Sequence, residues 1–271
     1  MTSTRWPRST APTPLERSWS TVHHRAEALH LPAIPTLVVA PHPDDEVLMA
    51  GGLIASQRTR AVDVHVLAVT DGEAAYDVAD PTSLASRRRS EQLAALAELG
   101  VRPDAVTRLG LPDGAVADHV DEVADAVAGL GRFGLVIAPW TGDHHCDHEA
   151  TGAAVRQGAS RTGAALLFGL FWTWHHHGPA DLARERLMVL ELGDDVRLRR
   201  SRALRCHRSQ FSCEDGPAQL TAELAEPAAW PAEYFIAPHP VAGGRADPSG
   251  PSHRLLTGVP PVTSGPSEVQ T

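Results

Sequence analysis

The sequence predicts an α/β fold in which a mostly parallel sheet is covered by helices on both faces, and three observations carry that expectation. Short runs of branched apolar residues alternate with segments of helical period in a continuous βαβα order. The runs show no polar and apolar alternation, as strands buried on both faces require. Polar clusters follow two of the runs directly, where ligand sites of such folds are built.

Leu37-Val38-Val39-Ala40 is the first strand, and a helix-like stretch follows from Glu46 to about Arg58. The run from Val62 to Val69 is the second strand, leading through a polar loop to Pro81. The next helix is capped by Thr82 or Ser83, ended by Gly100, and carries Leu93, Leu96 and Leu99 at helical spacing. A third strand runs from Val106 to Leu109. Val116, Val120, Val123, Val127 and Leu130 then form an apolar stripe opposite Asp118, Asp121, Glu122 and Asp125, a core-facing helix with a solvated acidic face. Leu135 to Ala138 is the fourth strand, with a helix after it to about Arg161, and the runs 165–171 and 187–192 read as further strands. Right-handed crossovers place the C-terminal ends of parallel strands on one edge of the sheet.

The ends of the chain read differently from its middle. Residues 1–31 are expected to form an arm and 32–237 the folded domain, while the Pro-, Gly- and Ser-rich stretch 238–271 reads as a disordered tail. The arm lacks the continuous apolar stretch of a secretory signal, and no run approaches the roughly 18–20 apolar residues of a membrane span. Among 271 residues the formal charge is -9 and the basic runs are short, which argues against a nucleic-acid surface and for a small-molecule substrate. Cys146, Cys206 and Cys213 suit neither a disulfide framework nor a four-cysteine zinc site, so a cytoplasmic location is expected.

The chemistry is concentrated in Pro41-His42-Pro43-Asp44-Asp45-Glu46 after the first strand and His144-His145-Cys146-Asp147-His148-Glu149 after the fourth. Charge that dense needs a compensating cation, and imidazole with carboxylate suits Zn²⁺ or Fe²⁺. A hydrolytic site wants about three protein ligands, which assigns His42, Asp45 and His148 to the metal. Asp44 then stays free to act as general base on a metal-bound water. His145 is placed to hydrogen-bond an oxyanion or to give a proton to the departing nitrogen, and Asp147 to orient His145. Glu46 and Glu149 are read as helix N-terminal charges, His144 as a solvent-facing neighbour, and Cys146 as a small buried residue. Two other readings stay open: a non-haem Fe(II) oxygenase with the same ligands, usually on a jelly-roll scaffold, and a non-catalytic sugar or nucleotide-binding module, for which Gly51-Gly52 is the only hint.

These motifs resemble those of the PIG-L/LmbE family of zinc-dependent N-acetyl amino-sugar deacetylases. Its first signature is matched by residues 41–46 and its second by His145-Cys146-Asp147-His148. The likeness continues through Thr70-Asp71-Gly72-Glu73, Arg88-Arg89-Ser90-Glu91, Leu111-Pro112-Asp113-Gly114 and His207-Arg208-Ser209-Gln210-Phe211. The resemblance implies a Rossmann-like fold and hydrolysis of an N-acetyl group from an amino sugar or glycosylated small molecule. It also implies zinc on His42, Asp45 and His148, Asp44 as base, His145 at the oxyanion, and Arg88 and Asp113 on the sugar hydroxyls. Cys146 stands where the family usually has proline, and Pro41 where alanine is common. Trp172-Thr173-Trp174-His175-His176-His177 resembles an aromatic stretch of some members that shapes the acceptor side. Its three histidines are expected to be exposed in a loop rather than to form a second metal site.

Overall fold

The computed structural model describes residues 12–76, 80–212 and 218–238. Part of the expected arm, Cys213, and all of the expected tail beyond Pro238 therefore lie outside the described residues. In chain order the elements are α1 (Pro14–Ser18), α2 (Ser20–Arg25), β1 (Glu27–Ala28), β2 (Thr36–Ala40), α3 (Asp45–Thr59), β3 (Val64–Thr70), α4 (Pro81–Glu98) and β4 (Val106–Leu111). There follow α5 (Val120–Leu130), β5 (Leu135–Pro139), α6 (Cys146–Thr162), β6 (Ala165–Gly169), α7 (Thr173–His176), β7 (Arg186–Glu191), α8 (Asp194–Leu204), α9 (Arg208–Phe211) and β8 (Ala232–Ala237). The eight strands form one sheet in the order β1-β7-β8-β6-β5-β2-β3-β4.

The sheet is parallel except at β8, which runs antiparallel between β6 and β7. From β2 the chain steps outward to β3 and β4, then returns to lay β5 on the other side of β2. Connections on either side of that pair lead in opposite directions, so a crevice opens at the C-terminal ends of β2 and β5. Every residue of β2, β3 and β5 is buried, which is why these strands read as unbroken apolar runs. Successive side chains still separate between two cores. Val38, Val66 and Ile137 pack with α3, α4 and α8 on one face, while Leu37, Val39, Val69 and Val136 pack with α5 and α6 on the other.

Helix α3 carries an insertion in its hydrogen-bond ladder that explains Gly51-Gly52. The Glu233 carboxylate of β8 accepts the backbone N–H groups of Gly52 and Leu53 at 2.6 and 2.7 Å, and Arg200 of α8 donates to Leu48 O at 2.9 Å. The two buried side chains pair at 3.1 Å. A Cβ on Gly52 would lie 2.6 Å from Leu192 and 2.9 Å from the Glu233 carboxyl carbon, so the glycine makes room for this pair rather than for a ligand. The single sheet differs from a jelly-roll scaffold. Among the described residues no helix is long and apolar enough to cross a membrane.

Candidate metal centre

The two polar clusters meet in the crevice. Asp44 is the N-cap of α3 with φ 127° and ψ -29°, a sparsely populated conformation for a residue with a side chain, and its carboxylate makes no capping hydrogen bond. Asp45 Oδ2 accepts the His42 backbone N–H at 2.9 Å and lies 3.0 Å from His42 Nδ1. From the first turn of α6, His148 Nε2 comes within 3.2 Å of Asp45 Oδ1. His42, Asp45 and His148 thus each offer one ligand atom, all within 4.8 Å of one another, and His42, His145 and Asp147 form an overlapping group by the same measure. Imidazole nitrogen and carboxylate oxygen converging from two helix N-termini fit a borderline divalent cation.

His148 is oriented by a residue that sequence reasoning missed. Its Nδ1 lies 2.8 Å from Asp143 Oδ2, which turns Nε2 toward the centre. Asp143 is fully buried and also accepts the backbone N–H groups of Phe171, Trp172 and Thr173 and the Thr173 hydroxyl. An aspartate after glycine reads as a turn. Only the requirement that a ligating imidazole have a partner for its second nitrogen could have singled it out.

His42 Nε2 lies 3.1 Å from both Asp113 Oδ1 and Asp147 Oδ2. Asp147 also accepts the N–H groups of Gly114 at 2.7 Å and Val116 at 3.2 Å. Its carboxylate therefore holds His42 and the loop after β4, and the expected orientation of His145 comes from its backbone instead. The Asp147 N–H donates to His145 Nδ1 at 3.3 Å, an N-cap bond. A neutral His145 with Nδ1 accepting carries its proton on Nε2, the tautomer that a donor to an oxyanion needs. Burial, with His148 and His42 nearby, pulls the His145 pKa down and favours that neutral form.

Arg88 is buried, 4% exposed, and its guanidinium donates to Gly72 O and Pro43 O at 2.9 Å each while lying 3.4 Å from Asp44 Oδ2. Gly72 has φ +68°, and a Cβ there would lie 2.1 Å from Arg88 Nη1. Burial pushes the Asp44 carboxyl up to about 7; Arg88 opposes the rise and Asp45 adds to it. Burial acts upward on Asp45 too, but His148 and His42 outweigh it and hold this carboxyl well below its ordinary range. His148 goes the other way, to about 9, because Asp45 and Asp143 overcome its desolvation.

Behind Asp44, Glu46 is fully buried, and Oε2 accepts from Gln92 Nε2 at 2.9 Å and from the Asp44 N–H at 3.4 Å. Burial lifts its carboxyl to about 8. Its Oε1 lies 3.9 Å from Nε2 of His207, a ring held near pKa 3 by burial and without a hydrogen-bond partner on either nitrogen. Cys146 is exposed, contrary to its expected burial. It is the first residue of α6, where a helix leaves its N–H unsatisfied and proline is welcome, so the exchange of proline for cysteine costs the helix little.

The Trp172 ring lies nearly parallel to that of His145, at 14° and 6.2 Å. His175 and His176 are in the single turn of α7 and His177 caps it, whereas a loop was expected. His175 Nε2 faces Leu224 O at 3.2 Å and His177 Nε2 faces Gly142 O at 3.0 Å. Among the described residues this run joins no metal-capable group.

Residues 37–159, which span both clusters, match the family described as PIG-L: GlcNAc-PI de-N-acetylase. Residues 37–159 are thus similar to a PIG-L domain over a little under half of the chain. One relative of this domain, a probable N-acetyl-alpha-D-glucosaminyl L-malate deacetylase 2 of Bacillus subtilis strain 168, is 32% identical over 133 residues. That alignment takes in 44% of this chain and 58% of the relative. A second, the 1D-myo-inositol 2-acetamido-2-deoxy-alpha-D-glucopyranoside deacetylase of Mycolicibacterium vanbaalenii, is 29% identical over 82% of this chain and 97% of its own length. In three dimensions the chain is similar to the zinc inhibited form of teicoplanin deacetylase Orf2, with a TM-score of 0.58, 20% identity, and coverage of 74% of this chain and 97% of that one. At that identity the likeness speaks for the fold.

Proposed function

We propose that this chain is a metal-dependent amide hydrolase that removes an N-acetyl group from an amino sugar or a glycosylated small molecule. The observation that carries the reading is the convergence of His42, Asp45 and His148 beside an Asp44 whose carboxylate is left out of both the ligand set and the helix cap. The two deacetylase relatives supply the substrate class. Zinc suits the donor set best, with Fe²⁺ second.

His42, Asp45 and His148 would hold a divalent cation, which would supply Lewis acidity toward a water and an amide carbonyl. Asp44, with a carboxyl near neutrality, accepts the proton of the attacking water. His145, with Nδ1 occupied by the Asp147 N–H, keeps its proton on Nε2 as the donor for the oxygen that becomes negative. Asp113 and Arg88 serve the sugar side, and Arg88 also holds the Asp44 turn through Pro43 O and Gly72 O. Asp143 and Asp147 keep His148 and His42 in register for the cation.

The test is incubation of the purified, zinc-loaded protein with a panel of N-acetylated sugars and glycosides, read by mass spectrometry. Acetate and a free amine are expected from at least one. Turnover that instead consumes oxygen with Fe²⁺ bound would replace this reading with the oxygenase.

A further inference from the structure

The segment before β2, expected as an arm, reaches the metal centre indirectly. Helix α7 is one turn long, too short to hold itself together in water, so its ends must be fixed from outside. Its leading amides are held by Asp143, the carboxylate that orients His148. At its other side the Trp174 carbonyl accepts the indole N–H of Trp19 at 3.2 Å. Trp19 is 4% exposed and meets the Trp174 ring edge-on at 5.0 Å and 89°. The same segment is anchored around this contact: β1 pairs with β7, His23 Nδ1 lies 2.9 Å from Tyr234 Oη, Arg25 donates to Leu182 O, and Thr13 donates to Glu226.

We infer that Trp19 is a positioning residue: the N-terminal segment braces α7, and through α7 and Asp143 it sets the alignment of His148 and of the Trp172 ring beside His145. The inference rests on the reading of His148 as a metal ligand. With the brace loosened, α7 drifts, Asp143 loses donors, and His148 Nε2 wanders from the line that the cation needs. Trp172 moves with it.

The full-length protein is loaded with zinc and titrated with a competing chelator, with kcat and KM measured alongside. Trp19→Ala is expected to weaken zinc binding about tenfold, the low end of the loss seen when a ligand's hydrogen-bond partner is removed. Trp19→Phe, which keeps an aromatic edge but has no N–H for Trp174 O, falls between that variant and the wild type, and it serves if Trp19→Ala folds poorly. Val22→Ala removes buried apolar contact from α2 but no hydrogen bond, so it lowers the melting temperature with no change in zinc affinity. Equal affinities in all four proteins, or an equal loss in Trp19→Ala and Val22→Ala, would overturn the brace. A wild type that takes up no zinc would overturn the metal reading as well.

Discussion

Two buried arginine–carboxylate pairs brace α3, and they are built for opposite ends. In the middle of the helix, Glu233 is close to saturated: Arg200 at 3.1 Å and two backbone N–H groups at 2.6 and 2.7 Å take three of its about four acceptor sites. At the N-terminus, Asp44 has one loose partner, Arg88 at 3.4 Å, a strained backbone, and no helix amide on its carboxylate. Arg88 spends its good hydrogen bonds on the carbonyls of the turn that carries Asp44. The carboxylate that holds the helix is given several strong donors, whereas Asp44 is positioned through its backbone and left with spare lone pairs, as the proposed base requires.

The largest expected effect falls on the loose pair. Asp44→Asn should cut turnover about 10²- to 10⁴-fold, the usual worth of a general base, while bound metal and melting temperature stay near wild type. Loss of zinc along with activity would move Asp44 into the ligand set. The nearly saturated pair should show the reverse pattern. Arg200→Met leaves Glu233 buried without its cation and is expected to cost about 3–5 kcal/mol in urea unfolding, with kcat per folded molecule little changed. If Arg200→Met depressed kcat at full stability, the contrast between the two pairs would collapse.

A smaller effect tests the residue that links the centre to α7. Asp143→Asn keeps the size of the side chain but makes it a poorer acceptor for the His148 Nδ1 proton, so zinc affinity should fall about 10- to 100-fold. Unchanged affinity would reduce Asp143 to a loop staple.

How far the sequence disclosed these features depends on what kind of pattern each leaves. Strands buried on both faces are apolar at every position, so β2, β3 and β5 stand out, and the placing of His42 and His148 at one edge follows from their being parallel. β8 was missed because its sequence, Ala-Glu-Tyr-Phe-Ile-Ala, carries a buried Glu233 whose compensation comes from Arg200 and α3, far away in the chain. The role of Trp19 was hidden for the same reason, since its partner is 155 residues on and its neighbours are polar. Cys146 was misjudged because a residue between two site residues seemed enclosed, yet at the start of α6 its side chain is exposed while those of Asp147 and His148 are buried. Local patterns record which face of an element is buried; they do not record which distant group satisfies a polar atom.

The smallest effect concerns a polar group buried behind Glu46. His207 is fully buried, has no partner on either nitrogen, and is held near pKa 3 by burial against an ordinary 6.5. The folded state demands the neutral ring, so its contribution is fully present above 6.5 and is lost as pH falls toward 3. At pH 5 the loss amounts to about 2 kcal/mol. Glu46 has the opposite slope, because its carboxyl is raised to about 8 and stability declines as pH climbs from 4.5 toward that value. The wild-type profile therefore mixes two opposing slopes, and the informative quantity is the difference between His207→Leu and wild type. That difference should move in favour of the variant by about 2 kcal/mol between pH 8 and pH 5, read from urea midpoints. A difference that stays constant with pH would mean that the ring finds a proton acceptor in the fold, with Glu46, 3.9 Å away, the first group to examine.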